Sequence, residues 1–251
     1  MGETAKILCP DKKVLVPDLN AGCSLADSCP ATEFAEFVKQ HPGHTVISYV
    51  NTTAAVKAVT DVVVTSTNAR QIVESFPEGT PMIFGPDRNL GNYINSITGR
   101  NMLLWDGACH VHEQFSLEKI LSLKKQYPNA EVITHPECKQ PVIQVSDFVG
   151  STAALLKHTI KSDAKQFIVA TESGVIHEMR KRSPDKEFIP APPNDSTCAC
   201  NECNFMRLNT MEKLYNCLKF EMPEIFVDEE VQKKAIKPIK KMLEISEKLG
   251  L

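Results

Sequence analysis

An excess of charge of one sign is missing from this chain. Its 28 Lys and Arg stand against 31 Asp and Glu in 251 residues, a formal net charge of -3. Such a balance offers no basic face for nucleic acid or an anionic membrane surface, and neither partner is expected. Long apolar runs are also missing. Stretches such as VTDVVVTS fall far short of the roughly 20 residues that cross a bilayer. No cleavable leader pattern is readable at the N-terminus, and Lys6 breaks the myristoylation pattern that Met1-Gly2 would open. The nine cysteines are odd in number and lack the even spacing of a secreted disulfide scaffold. A reducing, cytoplasmic setting is therefore expected, where clustered cysteines bind metal or carry out chemistry. One further piece is lacking. Cys198, Cys200 and Cys203 crowd into one stretch, STCACNECNFMRLN, with no second Cys or His pair nearby to close a structural zinc site.

What is present is an α/β pattern. The β-branched runs KKVLVP, HTVISYV, DVVVTS, PMIFG, NMLLWD, AEVITH, KQFIVAT and KEFIPAP read as buried strands. Between them TEFAEFVKQ, ARQIVESF, SLEKILSLKKQY, STAALLKHTIKS and GVIHEMRKRS read as helices, an alternation that calls for parallel strands with crossover helices. The C-terminal EEVQKKAIKPIKKMLEISEKL reads as an amphipathic helix, kinked or interrupted at Pro238.

The chain also repeats itself. A shift of 86 residues lays Lys39 on Lys125, Gln40 on Gln126, Pro42 on Pro128, Val46 on Val132 and Ile47 on Ile133. The same shift lays Cys23 on Cys109 and Ser66 on Thr152. A fixed long period means one structural unit used more than once. Cys23 and Cys109 each follow a strand-like run, and KEFIPAP leads in the same way toward Cys203. Strand-end loops on one side of a parallel sheet are where α/β folds hold ligands. Three such loops could bring one cysteine each to a shared centre. Thiolates suit iron–sulfur clusters, zinc or copper. A cluster with four irons and only three cysteines keeps one iron open as a Lewis acid, which suits catalysis better than electron transfer. The alternative is a zinc or redox module built from Cys198, Cys200 and Cys203.

Taken in order, NAGCSLADSCP, ISYVN, TSTNA, WDGACHVHE, THPEC, GST and CNECNFMRLN resemble the quinolinate synthase family over nearly the whole chain. The resemblance implies three-layer αβα domains with parallel sheets, repeated about a pseudo-threefold axis. It implies a [4Fe-4S] cluster held by Cys23, Cys109 and Cys203. It implies condensation of iminoaspartate with dihydroxyacetone phosphate to quinolinate, phosphate and water, and a functional link to an enzyme that produces iminoaspartate. It gives Cys198 and Cys200 no ligand role, and Cys9, Cys29 and Cys217 read as ordinary small buried or half-buried residues.

The resemblance also implies substrate contacts at repeat-related places. Tyr49 and Asn51 map by the 86-residue shift onto His135 and Glu137. A carboxylate beside an imidazole suits proton transfer, so Glu137 is expected as base or acid, with His135 orienting an oxygen or sharing protons and Tyr49 assisting. The ordinary reading of His135 is a satisfied histidine before a proline turn. Ser66, Ser151 and Thr152 sit where loops become helices, and their ordinary reading is an N-cap. The same helix starts offer N–H groups to an anion, and the resemblance implies that they receive substrate carboxylates or phosphate. His112 is a further site residue, and His110 and His177 are left as structural or surface.

The expected division is a remnant of a first repeat in residues 1–16, a second repeat in 17–100, a third in 101–187, and a C-terminal segment in 188–251 with the cluster loop and closing helices. Met1 to Lys6 resemble an interior segment of longer members, so most of a first repeat is expected to precede them. The chain alone is then expected to be poorly active.

Overall fold

A computed structural model describes residues 1–195 and 202–251. Two compact units emerge: Met1–Gly107 with Asn204–Leu251, and Ala108–Cys203. Cys198 and Cys200 lie outside the described residues.

The first unit runs α1 (Gly2–Leu8), α2 (Ser24–Asp27), α3 (Ala31–Gln40), β1 (Thr45–Tyr49), α4 (Ala54–Lys57), β2 (Val62–Val64), α5 (Ala69–Glu74), β3 (Met82–Phe84), α6 (Arg88–Thr98) and β4 (Leu103–Leu104). The second runs α7 (His110–Glu113), α8 (Leu117–Gln126), β5 (Glu131–Thr134), α9 (Gln140–Gln144), β6 (Phe148–Val149), α10 (Thr152–Lys161), β7 (Gln166–Ala170), α11 (Val175–Arg182) and β8 (Glu187–Pro190). The chain then returns to the first unit with α12 (Asn204–Arg207), α13 (Met211–Phe220) and α14 (Glu229–Lys248).

Each unit holds one four-stranded sheet, ordered β2-β1-β3-β4 in the first and β6-β5-β7-β8 in the second, and every pairing is parallel. Alternation along each strand feeds two cores. In the second unit Val132, Ile168 and Ala170 pack with Ile120 of α8 and Val142 of α9. Their strand neighbours Ile133, Phe167 and Val169 pack on the other face with Leu155 of α10 and Ile176 and Met179 of α11. In the first unit Val46 and Ile83 pack against Phe34 of α3, while Val63 packs with Ile7 of α1 and with Ala235 and Ile239 of α14. The result is a three-layer αβα arrangement in each unit, as the alternating sequence pattern requires. A fully buried aliphatic such as Ile47 or Ile133 contributes about 1.5–3 kcal/mol to it.

The 86-residue repeat is visible bond by bond. The Val46 N–H donates to Asp61 Oδ2 at 2.8 Å, and the Val132 N–H donates to Asp147 Oδ2 at 2.8 Å. Ser48 pairs with Thr60 at 3.0 Å, and their mates Thr134 and Ser146 pair at 2.6 Å. The Thr60 hydroxyl donates to the Val56 carbonyl, and that of Ser146 to the Val142 carbonyl. After the strand, the Thr52 N–H returns to the Tyr49 carbonyl and the Cys138 N–H to the His135 carbonyl, each at 3.0 Å.

Three local expectations differ from the structure. KKVLVP is not a sheet strand: Leu15 forms only an isolated antiparallel bridge with Glu224, supported by bonds from the Val16 N–H to the Pro223 carbonyl and from the Ile225 N–H to the Val14 carbonyl. Pro10 and Pro17 bracket the stretch, and a proline adds no ladder donor. Of the kink or interruption expected at Pro238, the interruption does not occur: α14 continues through it, with Ala235, Pro238 and Ile239 all buried. Ser66 is not a helix cap, because α5 starts three residues later with Asn68 at its N-cap. No helix among the described residues is long and apolar enough to cross a membrane.

Candidate active site

The second unit gathers its chemistry at the carboxyl ends of its strands. At the end of β5 the His135 N–H still bonds the Ala170 carbonyl at 3.1 Å, which extends the ladder by one residue and fixes the turn that carries Glu137. Cys109 is the N-cap of α7 and contributes no side-chain cap bond. Its short helix presents His112 one turn later, where i and i+3 share a face. The third contribution comes from the residue after β7, Thr171.

These loops build one buried polar group. His112 Nδ1 lies 3.0 Å from Glu137 Oε2, and His135 Nδ1 lies 3.9 Å from Glu137 Oε1. The two imidazoles stack with centroids 4.6 Å apart and planes 19° from parallel. His112 Nε2 meets Thr171 Oγ1 at 3.1 Å. Donor atoms of Cys109, His112 and Glu137 all lie within 4.8 Å of one another. The exposures of His112, His135 and Glu137 are only 8%, 4% and 4%. Despite its short contact with Glu137, His112 Nδ1 has no aligned hydrogen-bond acceptor. The contact is thus one of charge rather than a linear bond.

Electrostatics divides the two histidines. Burial works against charge on His112, but the close side-chain contacts and electrostatic interactions with Cys109 and Glu137 overturn that penalty and raise its pKa to about 10. For His135 burial wins. It lowers the pKa to about 4, with the Glu137 charge opposing and the His112 charge reinforcing. These directions favour a charged His112 beside Glu137 and a neutral His135 stacked on His112.

Ser151 lies at the start of α10 and accepts from the Ala154 N–H at 3.3 Å, an ordinary N-cap bond, with Thr152 exposed beside it as the first helical residue. Cys203 is half-buried, and its N–H donates to Glu172 Oε1 at 3.4 Å.

The first unit carries the other expected residues. Tyr49 ends β1 and is buried; Asn51 follows in the turn, and its Nδ2 lies 3.9 Å from Cys23 Sγ. Cys23 is a half-buried thiol at the N-cap of α2. Ser66 is half-buried in the turn before α5. Cys9 is half-buried, and Cys29 and Cys217 are buried.

Two residues escaped the sequence reading. Thr171 and Glu172 follow β7 in the ATESG stretch and contact His112 and Cys203 respectively. The usable signal was their place at the carboxyl end of a central parallel strand.

Comparison with known proteins follows the same lines. The family model described as quinolinate synthetase A protein (NadA) matches residues 1–244. The quinolinate synthase of Thermosynechococcus vestitus is 57% identical over 246 residues, which is 98% of this chain and 77% of that relative. Those of Synechococcus sp. and Chloroherpeton thalassium are 55% and 56% identical over the same share of this chain, covering 77% and 76% of their own lengths.

Proposed function

Because this chain belongs to the quinolinate synthase family, we propose that it acts in the condensation of iminoaspartate with dihydroxyacetone phosphate to quinolinate, phosphate and water. The observation that carries this reading is the group formed by half-buried Cys109 with buried His112 and Glu137 in the second unit. It joins a soft sulfur donor to a proton-handling pair, and the proposed reaction needs both.

The donor chemistry fits a [4Fe-4S] cluster. Cys23, Cys109 and Cys203 are half-buried thiols, each in a loop at an element boundary, and thiolate is the ligand such clusters take. These three are proposed to hold it. When bound, the cluster supplies an iron as Lewis acid for a substrate oxygen or carboxylate.

The chain's own residues do the remaining work. Ring formation requires imine–enamine proton shifts and loss of hydroxyl groups as water, each with a proton taken at one atom and returned at another. Glu137 accepts at Oε2, which faces His112 Nδ1 at 3.0 Å in a buried site. His112 gives back a proton, held in orientation by Thr171 at its far nitrogen. His135 is neutral and offers an uncharged hydrogen bond to a substrate oxygen. Tyr49 and Asn51 hydrogen-bond substrate. Ser66, Ser151 and Thr152 receive carboxylate or phosphate oxygens, the hydroxyl of Ser151 working from a helix start whose N–H groups favour an anion.

Anaerobic purification tests the reading. About four irons per chain are expected, lost in Cys109→Ala and kept in Cys198→Ala, together with quinolinate formation from iminoaspartate and dihydroxyacetone phosphate. A colourless protein with one zinc that disappears in Cys198→Ala would replace this reading with a zinc module.

A further inference from the structure

The first unit buries a lysine for which the proposed chemistry has no use. Lys57, in α4, has no exposed surface. Its ammonium donates to the Thr52 carbonyl and lies 3.5 Å from the Thr52 hydroxyl. That hydroxyl donates in turn to the Tyr49 carbonyl at 2.8 Å, and the Thr52 N–H donates to the same carbonyl. The turn closed in this way is Tyr49-Val50-Asn51-Thr52, and its Asn51 amide faces Cys23 Sγ.

The fold itself does not ask for a lysine there. The repeat mate of Lys57 is Ile143, in the equivalent helix α9, where it packs against the apolar core. Beside it the mate turn is closed by the same Cys138 N–H to His135 carbonyl bond without any ammonium. An apolar side chain therefore satisfies this position of the scaffold. Burial lowers the pKa of Lys57 to about 8, with the Glu3 charge opposing, so the ammonium is kept at a cost. A costly buried charge that the scaffold can do without points to a task at the groups it touches.

We infer that Lys57 is a positioning residue: through Thr52 it clamps the turn that sets Tyr49 and aims the Asn51 amide at the sulfur of Cys23. It acts through Thr52 rather than on the sulfur directly. The inference uses the reading of Tyr49 and Asn51 as site residues, but its test does not depend on quinolinate formation.

The test is the alkylation rate of each cysteine in reduced, metal-free protein, read peptide by peptide with iodoacetamide. Cys9, in the same unit, is the internal control. Asn51→Ala defines the change at Cys23 when the amide is lost. Lys57→Met should move Cys23 in the same direction by roughly fivefold, the worth of one buried hydrogen bond, and leave Cys9 unmoved. The double variant should go no further than Asn51→Ala alone, because both act through one linkage. Thr52→Val, which keeps the lysine and removes the hydroxyl, should give the same shift and decides the matter if Lys57→Met does not fold. A folded Lys57→Met with Cys23 at its original rate, or with Cys9 moving equally, would overturn the inference; so would an unchanged Cys23 in Thr52→Val where Lys57→Met does not fold. A Cys23 shift in a protein that makes no quinolinate would overturn the proposed function and leave the inference standing.

Discussion

At the end of β1 the chain reads Tyr49-Val50-Asn51; 86 residues later, at the end of β5, it reads His135-Pro136-Glu137. Around these two tripeptides the scaffold is nearly the same. Each sheet has the same strand order, each inner strand is pinned by the same aspartate, and each turn closes with the same bond. What differs is the chemistry placed on the scaffold. The second unit concentrates an ion pair and a stacked imidazole, while the first carries neutral hydrogen-bonding groups and hides its charge beneath the turn as Lys57. The lesson is that backbone-directed polar bonds persist between repeats because both sheets need them. Residues at strand ends are spared that duty and are open to divergence.

The comparison breaks most sharply at the tripeptides. Glu137→Gln keeps the shape and removes the carboxylate, and quinolinate formation should fall about 10²–10⁴-fold, the usual worth of a general acid–base group. A loss no larger in Glu137→Gln than in Asn51→Ala would mean that the two strand ends are chemically equal after all.

The scaffold is probed next. Ile47→Ala and Ile133→Ala remove repeat mates that are both fully buried, and each should cost about 2–5 kcal/mol in denaturant unfolding. Similar losses would sharpen the claim of one scaffold used twice, and losses of unlike size would break it.

Lys57 has no counterpart and should leave a pH signature. Its pKa is about 8 in the folded chain against 10.5 for the free side chain. Between those values the unfolded chain binds more protons, so stability rises with pH there, and below about pH 8 the whole cost is present. At neutral pH that cost is about 3 kcal/mol, at 1.36 kcal/mol for each unit of pKa. The unfolding free energy of the original protein, relative to Lys57→Met, should therefore climb from pH 8 to 10.5. A flat difference would mean that the buried amine does not titrate there.

The smallest effects belong to the shared polar bonds. Asp61→Ala and Asp147→Ala should each cost about 1 kcal/mol, the value of one partly buried hydrogen bond. Asp147→Ala should lose slightly more, because it also gives up its contact with Lys124 at 3.0 Å.

Much of the fold was legible because periodicity reports burial directly. HTVISYV, PMIFG, AEVITH and KQFIVAT became central or adjoining strands because a parallel sheet covered on both faces needs unbroken apolar runs. KKVLVP has the same composition and failed, since only its surroundings reveal that a short loop near Pro223 is its partner. β6 went unread because Phe148 and Val149 are too few to form a pattern. In the site, the family resemblance singled out His135 and Glu137, and the repeat related them to Tyr49 and Asn51. It was silent on how closely His112 joins them and on Thr171, because those contacts join loops far apart in sequence.

The sequence by itself determined the repeat, the α/β class and the residue types at the strand ends, because local pattern and the covalent order of the chain carry that information. Only the tertiary structure decided which histidine is charged. His112 and His135 are both buried and both near Glu137, but the contacts of Cys109 and Glu137 raise the pKa of His112 while burial lowers that of His135. Burial and charge are properties of neighbours in space, and a linear text does not contain them.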